Sequence, residues 1–334
     1  MNSLSRPESN LGHHSKLGKF LELIRTNSIG ATENRDYGNS GILAEYCGVS
    51  ISSRFRGRLQ HGWAPYFTSE SYYLNNYSRT FVWTKKSSDA AKHLGWHNFY
   101  DIGAPWLYLQ KLLERDGWET LHTPKQSGVS DKELWVYGNH LDLDNGEAPH
   151  ELINFILSAK ADPNPKTILL HYRDFDALRF HDPKVIAGIN VLTLGQRTNS
   201  ISAQSHLFRL YDLLGRHKKL VIDWPSTLLL YAITMGCEIE FMKNSNLKTA
   251  IYLAKKTNDL ELEAILSQGF HSAGSLENYA LTKLGKSSIK SPTELSEILK
   301  WHSDGFNSNF ILLLTFPILI IKISSGLIRK LLRS

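Results

Sequence analysis

Along most of the chain, short apolar runs alternate with longer segments in which apolar residues recur at helical spacing. TFVWT is followed by KKSSDAAKHLGW, and FYDIGAP is followed by WLYLQKLLERDG. Strands that alternate with helices of about ten residues are typical of a parallel, doubly wound sheet. The pattern therefore predicts an α/β protein.

Capping residues place the starts of two of these helices. Ser87 or Ser88 is expected to cap the helix that follows TFVWT. In SPTELSEILKWH, Ser291 and Thr293 combine with Glu294 in the pattern of a capping box. Both segments should therefore be helices with well-defined first turns.

The alternation is interrupted near residue 160. PHELINFILSAK predicts a helix, and the Pro-Asn-Pro run after it breaks the pattern. The alternation then restarts with TILLHY, INVLTLG and KLVIDW. We therefore expect two Rossmann-like domains, residues 1–160 and residues 161–305, that face each other across a central cleft.

The clearest unit is VIDWPSTLLLYAITMGCEIEF, which has the pattern strand, helix, strand. Pro225 favours helix initiation, and the unpaired N–H groups at the helix start suit a phosphate. An ordinary helix cap is the alternative, although it would need only one hydroxyl. The candidate ligand-binding residues of this unit are Asp223, Ser226, Thr227 and Tyr231.

Two histidines also lie at the ends of predicted strands. His61 precedes a glycine, in a turn where a ligand could approach the backbone closely. His171 ends an apolar run, and Arg173 in the following loop could bind a diphosphate through its planar guanidinium. The alternatives are a histidine satisfied within a turn and a solvated Arg–Asp turn.

Motifs that would fix a different chemistry are absent from the sequence. There is no His-Glu-x-x-His, no cysteine cluster, no Gly-x-Gly-x-x-Gly, no Walker A lysine and no Gly-x-Ser-x-Gly. Asp142 and Asp144 alternate around Leu143, and we interpret them as solvated rather than metal-binding. We therefore expect neither a metal nor a cofactor.

Length and charge narrow the classes of partner. The 334 residues are enough for two domains of ordinary size. A net charge of +6 suits an anionic substrate or an anionic membrane surface. The positive charge is too diffuse to indicate nucleic-acid binding.

The two ends of the chain differ sharply. MNSLSRPESNLGHHSKLGKF lacks the apolar core of a secretion signal, which favours a cytoplasmic protein. In residues 306–334, the run from Phe310 to Ile323 is mostly apolar, and the cations Lys322, Arg329, Lys330 and Arg333 gather toward its end. The apolar run is shorter than the roughly 20 residues of a spanning helix. We expect this tail to associate with the cytoplasmic face of the inner membrane, either as a peripheral helix or as a short anchor; a helix docked on the core is the alternative.

Three segments together resemble bacterial GT-B-fold glycosyltransferases of cell-surface polysaccharide (capsule or O-antigen) biosynthesis. They are LQHGWAP, TFVWTKKSSDAAKHLGWHNFYDIGAPWLYL and VIDWPSTLLLYAITMGCEIEF. The resemblance implies a GT-B-like pair of domains, with acceptor binding in residues 1–160 and donor binding in residues 161–305. It further implies metal-independent transfer of a sugar from a CMP-, CDP- or UDP-activated donor to a glycan or lipid-linked acceptor.

The resemblance also implies roles for individual residues. His61 is the first choice as general base, with Glu45 and Asp101 as further candidates, and His61 could instead contact the donor phosphate. Ser226, Thr227, His171 and Arg173 would stabilise the departing nucleotide. Two other functions stay open: a non-catalytic, membrane-associated polysaccharide assembly or binding protein, and a sugar-nucleotide epimerase of GT-B shape.

Overall fold

The computed structural model describes residues 32–50, 55–63, 79–116, 132–137, 150–164, 166–178, 186–196, 205–243 and 245–301. The strands in these residues form two sheets. They are β1 (Arg58–Leu59), β2 (Thr80–Val82), β3 (Phe99–Asp101), β4 (Glu133–Val136), β5 (Lys166–Leu170), β6 (Asn190–Thr193), β7 (Lys219–Ile222), β8 (Glu238–Phe241) and β9 (Phe270–His271).

Helices connect and cover these strands. They are α1 (Asn39–Tyr46), α2 (Lys85–His93), α3 (Pro105–Arg115), α4 (His150–Ala161), α5 (Tyr172–Leu178), α6 (His206–Gly215), α7 (Thr227–Thr234), α8 (Ser245–Lys256), α9 (Leu260–Gln268), α10 (Glu277–Lys283) and α11 (Pro292–Leu299). The predicted α/β class is confirmed.

The smaller sheet has the strand order β1-β2-β3, with both pairs parallel. The larger sheet has the order β6-β5-β4-β7-β8-β9, and it is parallel except that β9 runs antiparallel to β8. In chain order, β5 and β6 extend the larger sheet on one side of β4, and β7 and β8 extend it on the other. This is the arrangement of a doubly wound α/β sheet.

The helix caps agree with the sequence in one case and differ in the other. Ser291 caps α11, and Glu294 completes the expected capping box. Thr84, and not Ser87 or Ser88, caps α2, because its hydroxyl accepts the Ser87 backbone N–H at 3.2 Å. The helix therefore begins earlier than expected, directly after the buried strand.

One continuous cluster of buried apolar side chains joins the two sheets. At its centre, the indole of Trp106 on α3 stacks on the ring of Tyr231 on α7, with a centroid distance of 4.3 Å. The same indole donates to the Thr234 hydroxyl at 2.8 Å. The two sheets therefore share a core, and the expected cleft between them stays a prediction.

Sheet membership does not follow the expected division of the chain. Strand β4 pairs with β5 and β7, so the chain passes into the larger sheet between Asp101 and Glu133, earlier than residue 160. Near its end the chain returns to the smaller sheet, where the Ala104 N–H donates to the Leu284 carbonyl at 2.8 Å. The two domains of the sequence analysis stay a prediction.

The expected tail, residues 306–334, lies outside the described residues. Among the residues that are described, none of the helices has the length and apolar character needed to cross a bilayer.

Candidate functional site

A loop of the smaller sheet meets the start of helix α7. Residues His61, Gly62 and Trp63 follow β1, at the carboxyl edge of the smaller sheet. The backbone N–H of Trp63 donates to the Thr227 hydroxyl oxygen at 2.7 Å, and that hydroxyl lies 3.2 Å from the Trp63 carbonyl oxygen. The loop that contains the predicted turn at His61 and Gly62 is therefore in direct contact with α7, the helix predicted to bind a phosphate.

Gly62 is the residue that permits this close approach. A Cβ atom on Gly62 would lie 3.2 Å from the Thr227 hydroxyl oxygen, which is tighter than ordinary packing. The indole of Trp63 also faces the ring of Tyr279 on α10, edge to face, with centroids 6.4 Å apart. Contacts on both sides of the loop therefore fix its position against the larger sheet.

The start of α7 has the polar character expected of an anion site. Ser226 is the N-cap residue, but its hydroxyl makes no capping bond to the helix backbone. The Leu229 N–H already donates to the Ser226 carbonyl at 3.0 Å, so the N–H groups of Thr227 and Leu228 are the ones at the open end of the helix. The helix dipole places partial positive charge at this end. The hydroxyl and backbone N–H groups at this helix end can therefore receive an oxyanion.

The two hydroxyls of the Ser-Thr pair have different surroundings. Thr227 uses its hydroxyl to hold the backbone of Trp63. Ser226 is half-buried and makes no such cap. Of the two, Ser226 is the better placed to contact a ligand, and Thr227 is better described as the residue that positions the loop of His61.

Strands β4 and β7 flank the point at which the strand order reverses. Tyr137 follows β4 and Asp223 follows β7, and the register pairs Val136 with Ile222. Ligands of open α/β sheets bind in the crevice at this position. Asp223 is 1% exposed, and its carboxylate accepts a hydrogen bond from the Asn246 side chain at 3.1 Å.

His171 follows β5 directly, as predicted, and it is half-buried. Arg173 lies in the first turn of α5 and not in a loop, because the segment after His171 is helical. Its side chain is exposed, with Nε 3.3 Å from the Tyr172 hydroxyl. These two residues therefore lie on the β5 side of the larger sheet.

The two further candidates for a base lie elsewhere. Glu45 is exposed on α1, and the negative charge of its carboxylate interacts with the charge of Arg115 at the C-terminal end of α3. Asp101 ends β3, where Lys290 lies 3.6 Å from its carboxylate. Burial tends to raise the pKa of Asp101, but hydrogen bonds from serine hydroxyls and the Lys290 charge lower it overall. Neither carboxylate is part of the contact between His61's loop and α7.

Tyr231 packs in the shared core, and the donor-binding role expected from the sequence stays a prediction. Its side chain is 5% exposed and stacks on Trp106 inside the shared core. Burial, with a smaller contribution from Tyr37, raises the pKa of its hydroxyl. One turn into an apolar helix, the residue faces the neighbouring helix and is covered by it.

In the part of the chain that the structure describes, no group of three or more His, Cys, Asp or Glu side chains is arranged to hold a metal ion. Asp142 and Asp144 lie outside the described residues.

Two residues at this site were missed from the sequence. Trp63 makes the contact with Thr227, and Tyr137 lies at the switch point beside Asp223. Tyr137 could have been found, because it directly follows the apolar run LWV, as Asp223 directly follows the apolar run LVI. Trp63 could not, because its partner is 164 residues away in the chain.

Comparisons with known proteins find a weak structural similarity. No protein-family model matches the chain, and no curated protein matches it. Among solved structures, the chain is similar to the wall teichoic acid polymerase TagF, with 11% identity and a TM-score of 0.31 over 70% of this chain and 57% of that one. For a variant of TagF soaked with CDPG, the values are 12% identity and a TM-score of 0.29 over 80% and 65%. The chain thus spans less than two thirds of each polymerase structure, and similarity at this level does not extend to function.

Proposed function

We propose that the protein is a glycosyltransferase that moves a sugar from a nucleotide-sugar donor to a glycan or lipid-linked acceptor of bacterial surface polysaccharide. The main support is the contact between the His61 loop and the start of α7, which the 2.7 Å bond from Trp63 to Thr227 defines. This contact brings the candidate base of one sheet to the candidate anion site of the other.

The chemistry divides between the two sides of this contact. The acceptor hydroxyl attacks the anomeric carbon of the donor, the bond from that carbon to the phosphate oxygen breaks, and His61 takes the proton of the hydroxyl. The N–H groups of Thr227 and Leu228 at the start of α7, together with the Ser226 hydroxyl, stabilise the negative charge that develops on the leaving nucleotide. A helix dipole and hydrogen-bond donors can supply this stabilisation without a metal ion.

The distribution of charge favours one placement of the diphosphate. The buried carboxylates of Asp174 and Asp223 lie on the α5 side of the larger sheet and would repel a phosphate at short range. The start of α7 carries no acidic residue in its first turn. His171 and Arg173 remain candidates for contact with the donor from the β5 side.

A turnover assay tests the proposal. Release of nucleotide from CMP-, CDP-, UDP- and GDP-sugars should be measured with and without a bacterial membrane extract as acceptor. We expect acceptor-dependent release with at least one donor. Isomerisation of the donor with no transfer would favour an epimerase, and absence of both turnover and donor-induced thermal stabilisation would favour a binding protein.

Ser226 and Thr227 should respond differently to removal of their hydroxyls. Because Ser226 makes no capping bond, Ser226→Ala should leave the free energy of unfolding nearly unchanged and weaken nucleotide binding by about threefold to tenfold. Thr227→Val leaves the Trp63 N–H without its acceptor and should cost about 1 kcal/mol of stability.

Calorimetric titration with nucleoside diphosphates and urea unfolding separate these two effects. An unchanged nucleotide affinity in Ser226→Ala would remove α7 as the anchor of the leaving group. Thr227→Ser, which keeps the hydroxyl, is the matched control for Thr227→Val and should retain wild-type stability more closely.

We also propose that the basic, apolar tail holds the protein at the cytoplasmic face of the inner membrane, where lipid-linked acceptors are found. Truncation after Asp304 should abolish sedimentation with vesicles that contain anionic phospholipid, and neutral vesicles serve as the control. A truncated protein that aggregates instead would indicate that the tail packs on the core.

A further inference from the structure

Within the part of the chain that the structure describes, the hydroxyl of Tyr137 is buried and has no hydrogen-bond partner. The Tyr137 side chain is 1% exposed, and among the described residues no group forms a hydrogen bond with its hydroxyl. Buried polar groups in native proteins are nearly always paired, and an unpaired one is costly. An unpaired hydroxyl at the switch point of a nucleotide-binding sheet therefore indicates a place for a ligand atom.

Strand register shows where this hydroxyl lies. Trp135 pairs with Val221, and both side chains belong to the apolar cluster on one face of the larger sheet. Side chains two residues further along share that face. Tyr137 and Asp223 therefore lie side by side on this face, at its carboxyl edge.

Helix α5 covers the same face and contributes a second carboxylate. Its residues Ala177 and Leu178 pack in the same apolar cluster, and Asp174, one turn earlier, is 1% exposed. Burial raises the pKa of the Tyr137 hydroxyl, and the nearby charges of Asp223 and Asp174 raise it further. The phenol therefore stays protonated at neutral pH and can donate a hydrogen bond.

The chemistry of this cluster selects its ligand. Two carboxylates accept hydrogen bonds, while the phenol can donate one and accept another. A phosphate would be repelled by the two negative charges. A pair of neighbouring hydroxyl groups fits, because each hydroxyl can donate to a carboxylate while one of their oxygens accepts from the phenol.

We propose that Tyr137, Asp174 and Asp223 form a subsite for neighbouring hydroxyl groups of the donor. The proposal rests on the proposed function, since it assigns a part of the nucleotide-sugar to this edge of the sheet. The hydroxyls belong either to the ribose of the nucleotide or to the transferred sugar or polyol. The donor then lies with its diphosphate at the start of α7 and with its neighbouring hydroxyl groups at the carboxyl ends of β4 and β7.

The test compares Tyr137→Phe with the wild type in calorimetric titrations of CDP, UDP, their 2′,3′-dideoxy forms, a UDP-hexose and a CDP-polyol. If the ribose occupies the subsite, the wild type should bind CDP or UDP about threefold to tenfold more tightly than the dideoxy form, and the variant should lose this difference. If the transferred group occupies it, the variant should bind the complete donor more weakly and the nucleoside diphosphate equally well. Either result supports the subsite.

Tyr108→Phe is the matched control. The Tyr108 hydroxyl is also buried, but it donates to the Ile102 carbonyl and accepts the Lys290 N–H at 2.9 Å. The control should lower the melting temperature and leave ligand affinity unchanged. Tyr137→Phe should keep or raise the melting temperature of the ligand-free protein, because no hydrogen bond to a described residue is lost.

Two outcomes would overturn the inference. If the wild type binds nucleotides and Tyr137→Phe binds every ligand with wild-type affinity, the hydroxyl has no part in ligand binding and the subsite is excluded, while the proposed function still stands. If the wild type binds none of these ligands, the proposed function fails and the subsite fails with it.

Discussion

Replacement of His61 by glutamine is expected to lower kcat for sugar transfer by about 10²- to 10⁴-fold, which is the usual contribution of a general base. His61 lies two residues before Trp63, whose backbone is bound to Thr227 at the start of α7. In the proposed function, this position puts the base beside the helix that anchors the donor. Glutamine keeps a similar size and hydrogen-bonding capacity but cannot accept the proton.

Steady-state kinetics with a saturating acceptor and equilibrium binding of the donor distinguish the two roles open to His61. A base gives a large loss in kcat with nearly unchanged donor affinity. A contact to the donor phosphate gives weaker donor binding as well. His97→Gln is the control, because His97 is exposed and precedes β3, at the opposite edge of the smaller sheet. Equal kinetics for His61→Gln and the wild type would exclude both roles.

The second large effect concerns folding. Gly285→Ala should destabilise the protein by about 4 kcal/mol or more, or prevent it from folding, because a Cβ atom there would overlap the Trp83 carbonyl oxygen. That oxygen belongs to the backbone and cannot rotate away. The backbone of Gly285 also has a φ of 75°, which strains any other residue.

The variant Gly236→Ala measures the cost of backbone strain without a steric clash of the Cβ atom. Gly236 ends the α7 turn with a φ of 76°, but among the described residues no atom lies within 4 Å of the place that an alanine Cβ would take. Only the backbone strain of about 1–2 kcal/mol therefore applies. Urea unfolding of both variants measures the difference. Similar losses in the two would mean that the segment around Gly285 can move away from Trp83.

The strand–helix–strand unit from β7 to β8 could be predicted in detail from the sequence. Its helix begins at Thr227 after the Ser226 cap, and Gly236 lies in the left-handed conformation just after the helix. Local signals fix these features: an apolar run, a proline before the cap, and a glycine before the next strand. The capping box of α11 was predictable for the same reason.

The assignment of strands to sheets could not be predicted in this way. Strand β4 looks locally like β2 and β3, and only its pairing with β5 and β7 places it in the larger sheet. The return of the chain end to the smaller sheet depends equally on distant partners, such as the Ile298 carbonyl that accepts from Arg79 across 219 residues. Alternation along the chain carries no information on such pairings.

The same distinction between local signals and distant contacts applies to individual site residues. The positions of Asp223 and His171 after strands followed from the apolar pattern. The burial of Tyr231 did not, because it depends on Trp106 of a helix more than a hundred residues earlier in the chain. Thr227 was expected to contact a ligand, but its hydroxyl binds the backbone of Trp63 and so positions the loop that contains His61.

The stack of Trp106 on Tyr231 limits how the molecule can move. To swing one sheet away from the other as a rigid body, both rings would have to leave their contact and meet water, at a cost on the order of several kcal/mol. A hinge motion that separates the smaller sheet from the larger one is therefore disfavoured. Ligand exchange is better served by small displacements of the backbone beside Trp63, which one pair of hydrogen bonds holds against the helix.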